Sequence, residues 1–223
     1  MNIDVLSAIT ARHCKRAYVD RPVPRALLQE VLTAAAHAPS TRNTQLWQVA
    51  VVIGAARARL ADRLCADFDA GVPIQPDYVN RPPTLGQPYL ERAEAAGAGV
   101  LKAKGIDRDD PQARRAHLRD NYRFYGAPVA MILHLPADAS PGTFLEIGCF
   151  LQNIMLGLGA CGLGSCPQYS VAGYSDRIRS ELALGSDRLI VCSLAVGYPD
   201  PHAPINAFIP ERAGLAEYTH WYE

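Results

Sequence analysis

Residues 157–164 read GLGACGLG, and the first six spell GxGxxG. In that pattern a glycine turn carries a strand into a helix and lays a dinucleotide's pyrophosphate on the helix N-terminus. The flanks decide whether the chemistry is available. The preceding run, FLEIGCFLQNIML (144–156), is too long for one strand and is broken by Gly148, Gln152 and Asn153. It places Phe144, Ile147, Leu151, Ile154 and Leu158 at helical spacing. The following run, SCPQYSVAGYSD (165–176), combines Pro167 with β-formers and reads as extended. Both flanks oppose a βαβ dinucleotide site. The glycines are expected to stop a buried helix, where a glycine can take the left-handed conformation. The apolar stretch 144–166 is long enough for a membrane span. Glu146, Gln152, Asn153 and the interspersed glycines instead predict a helix buried in protein, and no membrane partner.

Upstream, Asp4 can cap a helix over DVLSAITAR, which runs into RHCKR at 12–16. A second helix starts at Pro24 and carries Leu27, Leu28, Val31, Leu32 and Ala35 on one face. The loop PSTRNTQ leads into LWQVAVVIG (46–54), dense in β-branched residues and read as a buried strand. AARARLADRLCADF returns to helix. Residues 71–88 are proline-rich and aperiodic, as in segments that cover sites. Helical stretches follow near 89–104 and 111–124, then a strand at PVAMILHL (128–135). DRLIVCSLAVG (187–197) is a further strand, and 197–223 is proline-broken yet too apolar for a free tail. Few strands separated by long helices, without repeats or linkers, give one α+β domain over 1–223, a three-layer sandwich with a mixed sheet.

Composition narrows the function classes. Apolar residues are 49% and charged residues 20%, the balance of a globular chain. Twenty-two basic side chains meet 22 acidic ones, so no net field favours nucleic acid. Asp4 interrupts any signal-peptide core, and the expected location is the cytoplasm. The six cysteines form no CxxC pair and no metal spacing with the histidines, so no metal is expected.

Two polar clusters carry chemistry. RHCKR ends a helix with three cations and a histidine, which reads equally as a solvated basic terminus or as an anion site built on guanidinium forks. PSTRNTQLW offers Ser40, Thr41, Asn43 and Gln45 as paired donors and acceptors for a ring with carbonyl and imide edges. Cys14 reads as a small buried filler without a nearby partner thiol.

Together these segments resemble the nitroreductase family of FMN-dependent oxidoreductases, in the branch of nitrobenzoate and nitrobenzene reductases. RHCKR fits the family's opening motif with Cys14 in a serine place. APSTRNTQLW fits the second, with Leu46 replacing a proline. Further matches are GIDRDDPQARRAHLRDNYRFYGAPV (105–129), LGLGACGLGSCPQ (156–168) and GYPDPHAPINAFIPERAGL (197–215), so the resemblance runs the length of the chain.

The resemblance implies an intertwined homodimer with a mainly antiparallel sheet, in which 71–125 is a substrate-covering helical excursion and 198–223 wraps the partner. Arg12, Arg16 and Arg212 would bind the FMN phosphate, and His13 and Cys14 would line the ribityl chain and pyrimidine edge. Pro39, Ser40, Thr41 and Asn43 would reach the same flavin from the other subunit. Pro167, Gln168, Tyr169 and Ser170 would set a backbone N–H against flavin N5. NADPH or NADH would deliver hydride to N5 and leave, and a nitroaromatic or quinone would then take the electrons at the same face, with no protein nucleophile. Tyr78, Tyr89, Tyr122, Phe124 and Tyr125 are candidates to stack on the acceptor, or to serve in packing. Ala207 and Ile209 stand where related sequences usually carry arginines, which thins the phosphate clamp. Two alternatives share these motifs: a flavin-dependent oxidase or dehydrogenase of a biosynthetic intermediate, and a flavin-binding protein without turnover.

Overall fold

In the computed structural model, which describes residues 4–223, the segment 141–166 settles the architecture. Helix α6 (Pro141–Ala160) buries Ile147, Phe150, Leu151, Ile154, Met155 and Leu158, then stops on the expected glycines. Gly162 has φ +73°. Its N–H donates to Gly159 O at 3.0 Å, and the N–H of Leu163 donates to Leu158 O at 2.9 Å. That pair of bonds is a Schellman closure, sealed by the two buried leucines. Gly157 and Gly164 serve close approach instead. A Cβ on Gly157 would lie 3.0 Å from Val31, and one on Gly164 would lie 2.6 Å from both Lys15 Cγ and Pro199 Cγ. Strand β3 (Gly164–Gln168) follows directly.

The remaining elements are helices α1 (Val5–Ala11), α2 (Arg25–Ala35), α3 (Gly54–Asp69), α4 (Tyr89–Ala103), α5 (Pro111–Arg119) and α7 (Ser175–Leu182). The other strands are β1 (Gln48–Ile53), β2 (Val129–Pro136) and β4 (Arg188–Gly197). Asp4 caps α1 by accepting from the N–H groups of Leu6 and Ser7.

The sheet runs β1-β2-β4-β3. Every ladder among the described residues is antiparallel, so the expected mixed sheet is not found within one chain. Strand β1 is also not the buried strand its composition suggested. It lies at the sheet edge with Val51 39% and Ile53 45% exposed. β-branched content reports strand propensity, whereas the burial of a given face depends on what packs against it.

Two apolar layers cover the sheet. Met131, Leu133 and Leu135 face the layer of α2 and α6, while Ala130 and Ile132 face Leu60, Leu64 and Ile178 of α3 and α7. Both faces of β2 are therefore buried, and its sequence reads as a continuous apolar run. A bulge opposite Leu133 and His134 gives β4 one extra residue, so the consecutive Val191 and Cys192 fall in the same layer. Helix α6, long and apolar enough to span a bilayer by composition, is thus a wall of this core.

The proline-rich segment after α3 is pinned to the end of β4 that β3 does not cover. Asp77 accepts the N–H of Ile190 at 2.8 Å and pairs with Arg179, and Tyr78 Oη donates to Val191 O at 2.7 Å.

Because Gly162 needs a left-handed backbone that costs a β-carbon residue roughly 1–2 kcal/mol, urea unfolding should rank the wild type above Gly162→Asn, and that above Gly162→Ala. Equal midpoints for all three would show that the helix end has another conformation in solution.

Candidate functional site

After α1 the chain runs extended beside β3 and the end of β4. The N–H of Lys15 donates to Ser165 O (3.0 Å), that of Val19 to Tyr198 O (3.0 Å), and that of Asp200 to Ala17 O (3.1 Å). In an extended chain successive side chains take opposite faces. His13 and Lys15 accordingly share one face, Cys14 and Arg16 the other.

On the first face, His13, Lys15 and Ser165 line a cleft of about 270 Å³ whose floor is the end of α6 and Gly162–Gly164, and Arg12, the C-cap of α1, lies at its edge near Cys14. His13 Nδ1 lies 2.8 Å from Ala11 O, and Nε2 lies 2.8 Å from Asn206 O and 2.7 Å from Lys15 Nζ. Lys15 Nζ also donates to Asn206 O (2.8 Å). The cleft has cations on the rim, no acidic lining residue, and a glycine floor that admits close approach.

On the second face, Arg16 opens into a separate cleft of about 440 Å³ with His117, Asn121 and Tyr125. Tyr125 touches the Arg16 guanidinium and donates to Asn121 Oδ1 (2.6 Å). Burial raises the Tyr125 phenol well above its ordinary range, so it stays protonated. The RHCKR cations therefore serve two clefts rather than a single clamp. Arg212 lies exposed in the C-terminal stretch, without a side-chain hydrogen bond among the described residues.

The view of Cys14 as a filler lacking a thiol neighbour is overturned, because the extended stretch lies along β3 and brings Cys166 against it. The neighbouring Cys166 thiol, helped by the Arg16 and Arg12 cations, pulls the Cys14 thiol down to about 6 against the opposing effect of burial. Cys166 is driven the other way by the same contact and by burial.

Gln168 ends β3 with its side chain 2% exposed. Its Nε2 donates to Asn121 O (2.7 Å), and Oε1 accepts from Ser193 Oγ (3.2 Å). Only its backbone is left for a ligand. Pro167 is half-buried, and Tyr169 and Ser170 are exposed.

The polar loop after α2 is strained. Arg42, Asn43 and Gln45 have φ of 53°, 58° and 50°, a cluster of left-handed non-glycine residues of the kind held at functional sites. Three contacts hold it. The Gln45 N–H donates to Ser40 Oγ (3.1 Å), Glu146 Oε1 of α6 accepts the N–H of Thr41 (2.8 Å), and Trp47 stacks on Phe150 at 5.0 Å. Glu146 Oε2 is buried with no partner among the described residues. Pro39, Thr41 and Asn43 are exposed, and Ser40 is half-buried.

Two of the five aromatic candidates are corrected. Phe124 is 0% and Tyr122 6% exposed, both packed under α3, because the consecutive positive φ of Phe124, Tyr125 and Gly126 turn the chain and drive Phe124 inward. Tyr78 is half-buried against Phe144, with centroids 4.8 Å apart, and its hydroxyl is committed to Val191. Tyr89 is exposed, and Tyr125 is half-buried in the second cleft.

Sequence reasoning missed Asn206, 5% exposed in the 3-10 turn Pro204–Asn206. Its Oδ1 accepts the N–H groups of Arg16 (2.8 Å) and Ala17 (3.2 Å). Its Nδ2 donates to Ala17 O (2.8 Å) and Asp200 O (3.0 Å). The signal available was an asparagine in an apolar, proline-broken run, where a buried amide must find backbone partners. The opposing segment could not be read from it.

Comparison with known proteins adds three findings. A sequence model described as the nitroreductase family matches residues 9–198. The chloronitrobenzene nitroreductase of Comamonas testosteroni is 33% identical over 213 residues, 95% of this chain and 93% of that protein. Two crystal structures superpose closely. The FMN- and NADPH-dependent nitroreductase NfnB of Sphigopyxis sp. strain HMH has TM-score 0.95 at 37% identity, covering 99% of this chain and 100% of that one. The FMN-dependent nitroreductase NfnB of Mycobacterium smegmatis, solved with NADPH, has TM-score 0.93 at 33% identity with the same coverage.

With its thiol pulled to about 6, Cys14 is increasingly thiolate as pH rises through that value. In the flavin-free protein, iodoacetamide labelling of the Cys14 peptide, followed by mass spectrometry, should rise with a midpoint near 6. An ordinary thiol would give about 8.5. Arg12→Ala should move the midpoint upward. A midpoint near the ordinary value in the wild type would contradict the contact.

Proposed function

The chain belongs to the nitroreductase family, and from that premise we propose that it is an FMN-dependent NAD(P)H oxidoreductase that reduces nitroaromatic acceptors. The observation that carries the cofactor assignment is the cation-rimmed, acid-free cleft of Arg12, His13, Lys15 and Ser165 over a glycine floor. A dianionic phosphate monoester fits those donors. FMN, when bound, supplies hydride acceptance and return.

The chain's own residues bind, orient and shield. Arg12 and Lys15 neutralise phosphate charge beside the Gly162–Ser165 backbone. Cys14 and Arg16 lie on the inner face, toward the Tyr125 cleft, where Arg16 offers a fixed positive charge to an electron-rich ring edge. The outward backbone of Pro167–Ser170 offers N–H groups to the flavin, held in place by the buried Gln168 amide. The nicotinamide nucleotide and the acceptor use one open face in turn, and quinones of similar shape are accepted there. Tyr125 and Tyr89 are the aromatics of the candidate set left to flank an acceptor.

A second copy completes the site. Its Pro39–Asn43 loop approaches the flavin of the first copy, which accounts for a strained, exposed loop. The exposed apolar side chains of Leu6, Leu145, Trp221 and Tyr222 are the contacts expected of such an interface.

The purified protein should be yellow and release FMN, not FAD, on denaturation. Arg12→Ala should weaken FMN binding by roughly 1.5–3 kcal/mol, the worth of a charge-assisted contact. Chromatography showing FAD, or no flavin after reconstitution, would overturn the assignment.

A further inference from the structure

The C-terminal segment carries no cation at Ala207 or Ile209, yet it is bound closely to the basic stretch. Every hydrogen bond between residues 203–210 and 12–17 runs through Asn206. The side-chain amide holds the backbone of Arg16 and Ala17 as a neighbouring strand would, with one oxygen for two N–H groups and one NH₂ shared between two carbonyls. The main-chain carbonyl receives Lys15 Nζ and lies 2.8 Å from His13 Nε2. One buried residue thus fixes both the path of the extended backbone and the direction of two side chains on its outer face.

We propose that Asn206 is the positioning residue of the cofactor-phosphate site: the C-terminal segment acts on the phosphate by aiming the cations of the 12–16 stretch. The inference rests on the FMN reading above. Without the amide, the half-buried N–H groups of Arg16 and Ala17 lose their partner, while the carbonyls of Ala17 and Asp200 keep only the N–H groups of Asp200 and Ala203. Such groups are satisfied only if the chain moves toward water. Loosening the clamp frees the stretch that directs Lys15 Nζ along the cleft, where the Asn206 carbonyl receives it. Gly164 belongs to the same device, since the Lys15 stem lies where its β-carbon would be.

Riboflavin separates this role from general damage, because it shares the ring and ribityl chain of FMN and lacks the phosphate. Dissociation constants for FMN and riboflavin are to be measured by flavin fluorescence on the full-length, flavin-free wild type, Asn206→Ala and Asn206→Ser, with thermal melts of each. The wild type should prefer FMN, with a preference that falls as salt rises. Asn206→Ala should lose about tenfold or more of that preference, equivalent to about 1.4 kcal/mol or more, while riboflavin binding changes little. Asn206→Ser, whose hydroxyl can still accept one N–H, should fall between, and it decides the question if the alanine variant does not fold. If both flavins weaken in parallel, or the FMN preference is unchanged, Asn206 is structural only and the inference fails while the cofactor reading stands. A wild type that binds neither flavin removes the cofactor reading itself.

Discussion

The site depends on residues 12–17 running extended along β3, because only an extended chain presents alternate side chains to opposite faces. The extended chain sets Arg12, Cys14 and Arg16 on one side and His13 and Lys15 on the other, and a helical continuation of α1 would have lost that alternation. The bonds to Ser165, Tyr198 and Asn206 prevent this. They give the short basic run two environments, a phosphate-sized cleft outside and a thiol and guanidinium facing Cys166 and Tyr125 inside. The opening glycines serve the same end, since Gly162 turns α6 into β3 and Gly164 leaves room for the Lys15 stem.

Much of this was legible in the sequence. The periodicity of 144–158 gave α6 and excluded a dinucleotide turn, and RHCKR and PSTRNTQLW identified the two polar clusters. Burial was read less well. Val51 and Ile53 look like core residues, but nothing within the described chain covers the outer side of β1. Phe124 and Tyr122 look like surface aromatics of a covering segment, but three consecutive left-handed residues fold them under α3. A single sequence does not display such a turn, because only Gly126 of the three announces positive φ.

The Cys14–Cys166 contact and the Asn206 clamp share one reason for being hidden. Each joins segments distant in the chain, and neither has a spacing to betray it. Cys14 stands where the family motif carries serine, and its thiol is held low by a second thiol and two arginines. Asn206 immediately precedes Ala207 in the C-terminal segment and reaches the backbone of Arg16 and Ala17 through its side chain. Cys14 and the Asn206 clamp thus meet on the same extended stretch.

On the proposed function, the cleft built by this stretch holds a flavin that exchanges electrons with both a nicotinamide nucleotide and an aromatic acceptor. Anaerobic stopped-flow mixing of the FMN-loaded protein with NADPH, and separately with NADH, followed by a nitrobenzene-type acceptor, tests it most directly. The flavin absorbance should be bleached by at least one nucleotide and should recover on mixing with the acceptor, at rates consistent with turnover. A bound flavin that neither nucleotide bleaches, or that the acceptor leaves reduced, would contradict it.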